Sequence, residues 1–246
     1  MINEILTIWN QSMNSNTNKP EHVCKYCNKS FTKETTLVSH VCEQKRRALQ
    51  EKELGVQWGF QAYKVFFDST QVSTKAKTYR EFSTSPYYLA FVKFGRYCQD
   101  IKCINYIEFT KWLLKNNKKL DYWCSDRLYD SWLISYLKME NVQDALDRSM
   151  LTMCKYAEDN SDLKNGYLDY FKYGNQNRIL HHLTTGYISP WVIYNSKTGA
   201  EFLSSLDENQ VSSIVEWLDP NYWHDTFKRN KEDTAWARKI LQKAGL

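Results

Sequence analysis

A chain of 246 residues is too long to depend on disulfide staples and long enough for a small module beside a larger domain. With 42% hydrophobic and 25% charged residues it can build a core, which excludes wholesale disorder, and nowhere do its apolar residues run long enough to span a bilayer. Eight Gly and four Pro leave little material for the tight turns of a β-sandwich or barrel, and the formal charge of +5 is uneven: six bases face two acids from Cys24 to Arg47, net +4, leaving +1 for the rest.

Residues 1–20 open on an amphipathic stretch, Ile2, Ile5, Leu6, Ile8 and Trp9, and pass into a polar linker closed by Pro20. They lack the basic segment, apolar centre and cleavage site of a secretory signal, so the chain is expected to stay in the cytosol. Of seven Cys only Cys24, Cys27 and Cys42 cluster, which points to reduced thiols and one metal site.

Residues 21–43 carry that site. Cys24-x2-Cys27, then Phe31, Leu37 and His40, resembles the two-Cys, two-His zinc-finger family. A two-residue gap lets a tight knuckle aim two thiolates at one ion; Phe31 and Leu37 form a small core, and a short helix delivers His40. So small a unit folds only with its ion, Zn2+. The family's fourth ligand follows the His by three to five residues, whereas here Cys42 follows by two. Two helical steps turn about 200°, so Cys42 joins His40 only if the helix ends or tightens near Val41; His22 or a water is the alternative. Docked as the family docks, the finger would turn Lys33, Thr36 and Ser39 toward base edges. Lys25 with Lys45, Arg46 and Arg47 would meet phosphates, carrying affinity without sequence information.

Residues 44–246 read as an all-α main domain. A helical pattern runs from Glu43 to about Asp68, with a break expected near Gly55 and Gly59. Ser85-Pro86, Ser189-Pro190 and Asp219-Pro220 each place a capping side chain before a Pro at the first helical position, and Asp207 with Gln210 has the form of a capping box. Apolar positions recur at helical spacing in Tyr87, Ala90, Phe91 and Phe94, in Leu128, Ser131, Trp132 and Ser135, and in Ala145, Ser149, Thr152, Met153 and Tyr156. Alternation of period two is confined to the finger, and the many aromatics fall on apolar helix faces, as core residues do. A Gly174-Asn175 turn ahead of Arg178 offers either a helix cap or an anion site.

No phosphate loop, dinucleotide fingerprint, GxSxG or HExxH occurs, so no enzymatic role is expected. Glu43-x-Lys45 is half of a nuclease motif without the strand that motif needs. As a whole the chain resembles small uncharacterised phage or prophage proteins, through HVCEQKRR from His40, SPYYLAFVKFG from Ser85 and ISPWVIYN from Ile188. From Ile179 through Thr185, Gly186, Phe202 and Asp219 to Trp223, it is also similar to the C-terminal helical domain of helicase-assembly (loader) proteins of T-even phages. That family binds branched DNA, single-strand-binding protein and replicative helicase, but carries no N-terminal finger. These resemblances imply a zinc-finger protein that contacts DNA or a nucleoprotein assembly with little sequence specificity, in phage replication or helicase loading. The contrasting expectation is a structural or adaptor protein with replication or virion partners, its finger a folding staple. Charge placement separates them: one exposed basic surface made of the finger face and Lys45 to Arg47 favours DNA, and internal pairing of those side chains favours the adaptor.

Overall fold

The structure is a computed structural model that describes residues 22–70 and 76–246. The amphipathic stretch and linker of residues 1–20 lie outside the described residues. Among the described residues the protein is mostly helical, with an aromatic-rich core and one two-stranded sheet in the N-terminal module. Among the described residues no helix is long and apolar enough to cross a membrane. The described residues divide into two compact units, split between Leu114 and Lys115.

In the first unit, β1 (His22–Val23) pairs antiparallel with β2 (Ser30–Phe31), His22 opposite Phe31. Helix α1 (Glu34–Ser39) and helix α2 (Glu43–Leu49) follow, then a single 3-10 turn and α3 (Leu54–Thr70). The expected break comes at Glu53, whose backbone is extended, and α3 runs unbroken through Gly55 and Gly59. These glycines serve packing. Helix α5 (Tyr88–Asp100) lies against α3 so closely that a Cβ on Gly95 would overlap the Gly55 carbonyl oxygen and the Gly59 nitrogen, and one on Gly59 would overlap the Phe91 carbonyl. Backbone-to-backbone approach of this kind has no room for any side chain.

Between them, α4 (Tyr79–Thr84) starts with a capping box in which Thr78 Oγ1 accepts the Glu81 N–H and Glu81 accepts the Thr78 N–H. Ser85 ends α4, and its hydroxyl accepts the Tyr87 N–H in a turn that delays α5 to Tyr88. The buried stripe holds Phe91 and Phe94 where the sequence pattern placed them, but it starts at Tyr88 and takes in Val92, Gly95 and Cys98, while Tyr87 is exposed and Ala90 half-buried. Phe60, Tyr63, Phe82, Tyr88 and Phe91 form the aromatic centre, with Phe82 4.9 Å from Tyr88 and Tyr63 5.5 Å from Phe91 between ring centroids. Helix α6 (Tyr106–Lys115) closes the unit, Tyr106 stacking on Trp58 at 4.6 Å.

The second unit packs α7 (Asp126–Leu137), α8 (Val142–Asp159), α9 (Tyr170–Tyr173), α10 (Gln176–Thr184), α11 (Pro190–Ile193), α12 (Lys197–Ser204), α13 (Glu208–Ile214), α14 (Pro220–Arg229) and α15 (Lys231–Lys243). Ser189 and Asp219 cap α11 and α14 ahead of their prolines, and Asp207 with Gln210 forms both halves of its capping box. Trp191, Trp223 and Phe227 meet at the centre, and α8 buries Ala145, Leu146, Ser149 and Met153. At Asn175 the helix-cap alternative is what the structure shows: its side chain accepts the Arg178 N–H, and its own N–H is taken by Tyr156 Oη.

One ion pair is sealed into this unit. Glu140, with no exposed side-chain surface, meets Arg148 at 2.6 Å, while Ser189 Oγ donates to Glu140 and Arg148 Nε donates to the Gly186 carbonyl. Burial pushes the Glu140 carboxyl above the usual range, and Arg148 pulls it part of the way back.

Two substitutions test these packing arguments. Gly95→Ala gains about 1 kcal/mol of helix propensity but forces the backbones apart, so it is expected to lower stability by about 1–3 kcal/mol net, read as a shift of the urea midpoint. Arg148→Met strands a buried carboxylate, at a cost of about 3–5 kcal/mol near pH 7. Because burial alone then raises Glu140 further, the fold takes up a proton more readily than the unfolded chain does. The deficit should therefore shrink as pH falls toward the ordinary Glu range, and a deficit independent of pH would contradict the assignment.

Candidate metal centre

The knuckle is made by backbone. The Cys24 N–H donates to the Lys29 carbonyl at 2.9 Å, and the Asn28 N–H donates to the Cys24 carbonyl at 2.8 Å. Closing so tight a loop needs a residue in the left-handed region, and Asn28, at φ 57°, is one of the few types that adopt it readily. Cys24 and Cys27 thereby face one point, and Cys24 is almost wholly buried.

The two-residue spacing of His40 and Cys42 is resolved by where the helix stops. Helix α1 ends at Ser39, before the His, and the His40 N–H closes on the Leu37 carbonyl at 3.1 Å. His40 (φ −70°, ψ 119°) and Cys42 (φ −101°, ψ 164°) are both extended. In extended chain alternate side chains share a face, so His40 and Cys42 point together while Val41 between them is 70% exposed. Cys42 also acts on the helix that follows, because its sulfur accepts the Lys45 N–H at 3.3 Å and so caps α2.

The ligand atoms of Cys24, Cys27, His40 and Cys42 all lie within 4.8 Å of one another. Cys24 Sγ is 3.9 Å from Cys42 Sγ, and Cys27 Sγ is 3.4 Å from His40 Nε2. A tetrahedron with metal–sulfur bonds of about 2.3 Å and a metal–nitrogen bond of about 2.0 Å has edges of about 3.8 Å and about 3.5 Å. The side chains are thus spaced for one shared ion. Cys42, not His22, completes the group. Phe31 and Leu37 are half-buried beneath it, the Phe31 ring centroid 4.7 Å from that of His40.

Electrostatics favour a cation at the same point. The Cys27 and Tyr26 N–H groups bring the Cys24 thiol down to about 7. At Cys27 the Lys29 N–H also pulls downward, but burial and the neighbouring Cys24 and Cys42 sulfurs outweigh it, and the net shift is upward. One thiolate forms easily and the next resists, which a divalent ion among them reverses. Three thiols and an imidazole form a closed donor set without a position reserved for water or substrate, the pattern of structural rather than catalytic metal sites.

The residues expected to face nucleic acid divide into two groups. Lys25, Lys33, Thr36 and Ser39 are exposed, Lys25 lying over the Tyr26 ring and Ser39 donating to the Thr36 carbonyl. The basic run is partnered within the chain: Lys45 Nζ donates to the His40 carbonyl at 3.2 Å, and Arg46, itself exposed, and the shielded Arg47 both pair with Glu43. Arg47 goes further, donating to the Ser83 carbonyl at 2.9 Å and lying 4.5 Å from the centre of the Tyr88 ring, while Tyr79 Oη donates to the Arg47 carbonyl at 2.6 Å. Comparison with protein-family models, curated proteins and solved structures finds no match for this chain.

The four-ligand arrangement has a direct consequence. Purified protein should carry one metal ion per chain, Cys27→Ala should lose it, and Cys42→Ser should bind it at least tenfold more weakly. Because protons compete for the same sulfurs and ring nitrogen, affinity should fall as pH drops below neutrality. Full stoichiometry and unchanged affinity in Cys42→Ser, measured by competition with a chromogenic chelator, would remove Cys42 from the set.

Proposed function

We propose that this protein is a non-enzymatic adaptor whose Cys3His module holds one Zn2+ as a folding staple. Zinc suits the donors: it is borderline-soft, indifferent to d-electron geometry, and at home with three thiolates and one imidazole in a tetrahedron. The observation that carries the adaptor reading is that Lys45, Arg46 and Arg47 are each partnered within the chain, Arg47 in a shielded site. Cations tied to a backbone carbonyl, a carboxylate and an aromatic face are poorly placed to neutralise phosphates. The module instead leaves Val38 and Val41 largely exposed, surface better suited to a protein than to a polyanion. Replication or virion components are the partners that the resemblance to phage proteins would supply.

A second reading, weak sequence-tolerant DNA contact in phage DNA metabolism, draws on Lys25, Lys29 and Lys33. All three are exposed and have no acidic partner among the described residues. The readings separate in a salt titration of the zinc-loaded chain against duplex, forked and single-stranded DNA. Three phosphate contacts give a log–log slope of about −2.7, and neutralising Lys25, Lys29 and Lys33 would abolish it. The adaptor reading expects no measurable binding near physiological salt on any of the three DNAs. A slope of about −3 that is lost in the triple variant would overturn it.

A further inference from the structure

Resting on the metal reading above, we infer that metal occupancy is transmitted from the Cys3His module into the helical body of the first unit through Cys42, α2 and Arg47. Each link is a contact already described. Cys42 belongs both to the ligand group and to α2, whose first turn it caps through the Lys45 N–H. Helix α2 has only seven residues, too few to persist alone, so it depends on its cap and on what its far end touches.

That far end is Arg47, with only 15% of its side chain exposed. Its guanidinium is held from three directions, by Glu43 of the same helix, by the Ser83 carbonyl in α4, and by the face of Tyr88 at the start of α5. Its carbonyl accepts the Tyr79 hydroxyl from α4, and Gln50 just beyond accepts the Tyr88 hydroxyl at 3.4 Å. Burial raises both tyrosines, so both hydroxyls stay protonated and able to donate. Tyr79, Phe82 and Tyr88 also belong to the aromatic centre that contains Phe60 and Tyr63.

The bonds at Arg47 need α2 in place, and α2 needs its sulfur cap held still. Withdrawal of the ion frees Cys42, loosens the start of α2 and removes the anchor from the α4–α5 corner. The body then becomes less protected although none of its residues is a ligand. A finger hung on a slack tether would lose its own order on demetallation and leave the body unchanged.

The test is native-state amide exchange of the full chain, with and without chelator, alongside metal analysis. In wild type, chelation is expected to reduce protection in Phe82–Phe91 by about tenfold, in addition to the collapse of the finger. In Arg47→Met, which removes the guanidinium contacts and keeps the backbone carbonyl, the chain should still bind one ion, yet chelation should change Phe82–Phe91 by less than about threefold. Tyr79→Phe, which keeps the ring and removes one bond to the Arg47 carbonyl, should give an intermediate response and serves if Arg47→Met fails to fold. If metal binds one-to-one but chelation leaves Phe82–Phe91 unchanged in wild type, or changes it equally in the Arg47 and Tyr79 variants, the coupling is refuted while the metal reading stands. A chain that binds no metal removes both.

Discussion

Everything distinctive about the N-terminal module follows from gathering three sulfurs and one imidazole within 4.8 Å of one another. Without an ion the arrangement opposes itself, since the Cys27 and Tyr26 N–H groups draw the Cys24 thiol down while burial and the neighbouring sulfurs push the Cys27 thiol up. With an ion the same crowding becomes the source of folding free energy, in a unit whose protein core amounts to little more than Phe31 and Leu37. The chain accommodates the demand at two places: the left-handed Asn28 that closes the knuckle, and the termination of α1 at Ser39.

The termination at Ser39 also determines what lies downstream. An extended step from His40 to Cys42 turns a ligand into a helix cap, so α2 starts where the metal group ends and has no room for a linker. Its basic residues are consequently drawn into short-range bonds, Arg46 and Arg47 with Glu43 and Lys45 with the His40 carbonyl. Exposed pairs such as Arg46–Glu43 contribute little to stability, but the shielded Arg47 combines an ion pair, a carbonyl bond and a ring face at one point.

Much of this was legible in the sequence where a residue type has one main use. The Cys24-x2-Cys27 knuckle, Phe31, Leu37 and His40, the Ser189-Pro190 and Asp219-Pro220 starts, and the Asp207 capping box are local devices, and local rules read them. Helix faces were less legible. On α7 the expected stripe mixed Leu128, Ser131 and Ser135 with Trp132, but the buried positions are Tyr129, Trp132, Leu133 and Leu137, because a small polar residue satisfies a spacing template without wanting burial. Gly55 and Gly59 looked like helix weaknesses because propensity is local, while the close approach of α5 that requires them is not. Nor does any local pattern reveal that Arg47 will find Ser83 and Tyr88, both far along the chain; only the Thr78-Glu81 capping box, which fixes where α4 begins, hints at that corner.

The central claim is that Cys42 closes a Cys3His set around a single Zn2+. X-ray absorption at the zinc edge of the purified full chain tests it without reference to any activity. The account predicts three sulfurs at about 2.3 Å and one nitrogen at about 2.0–2.1 Å, with one sulfur lost in Cys42→Ser. A shell of two sulfurs with two nitrogen or oxygen neighbours, unchanged by that substitution, would contradict it.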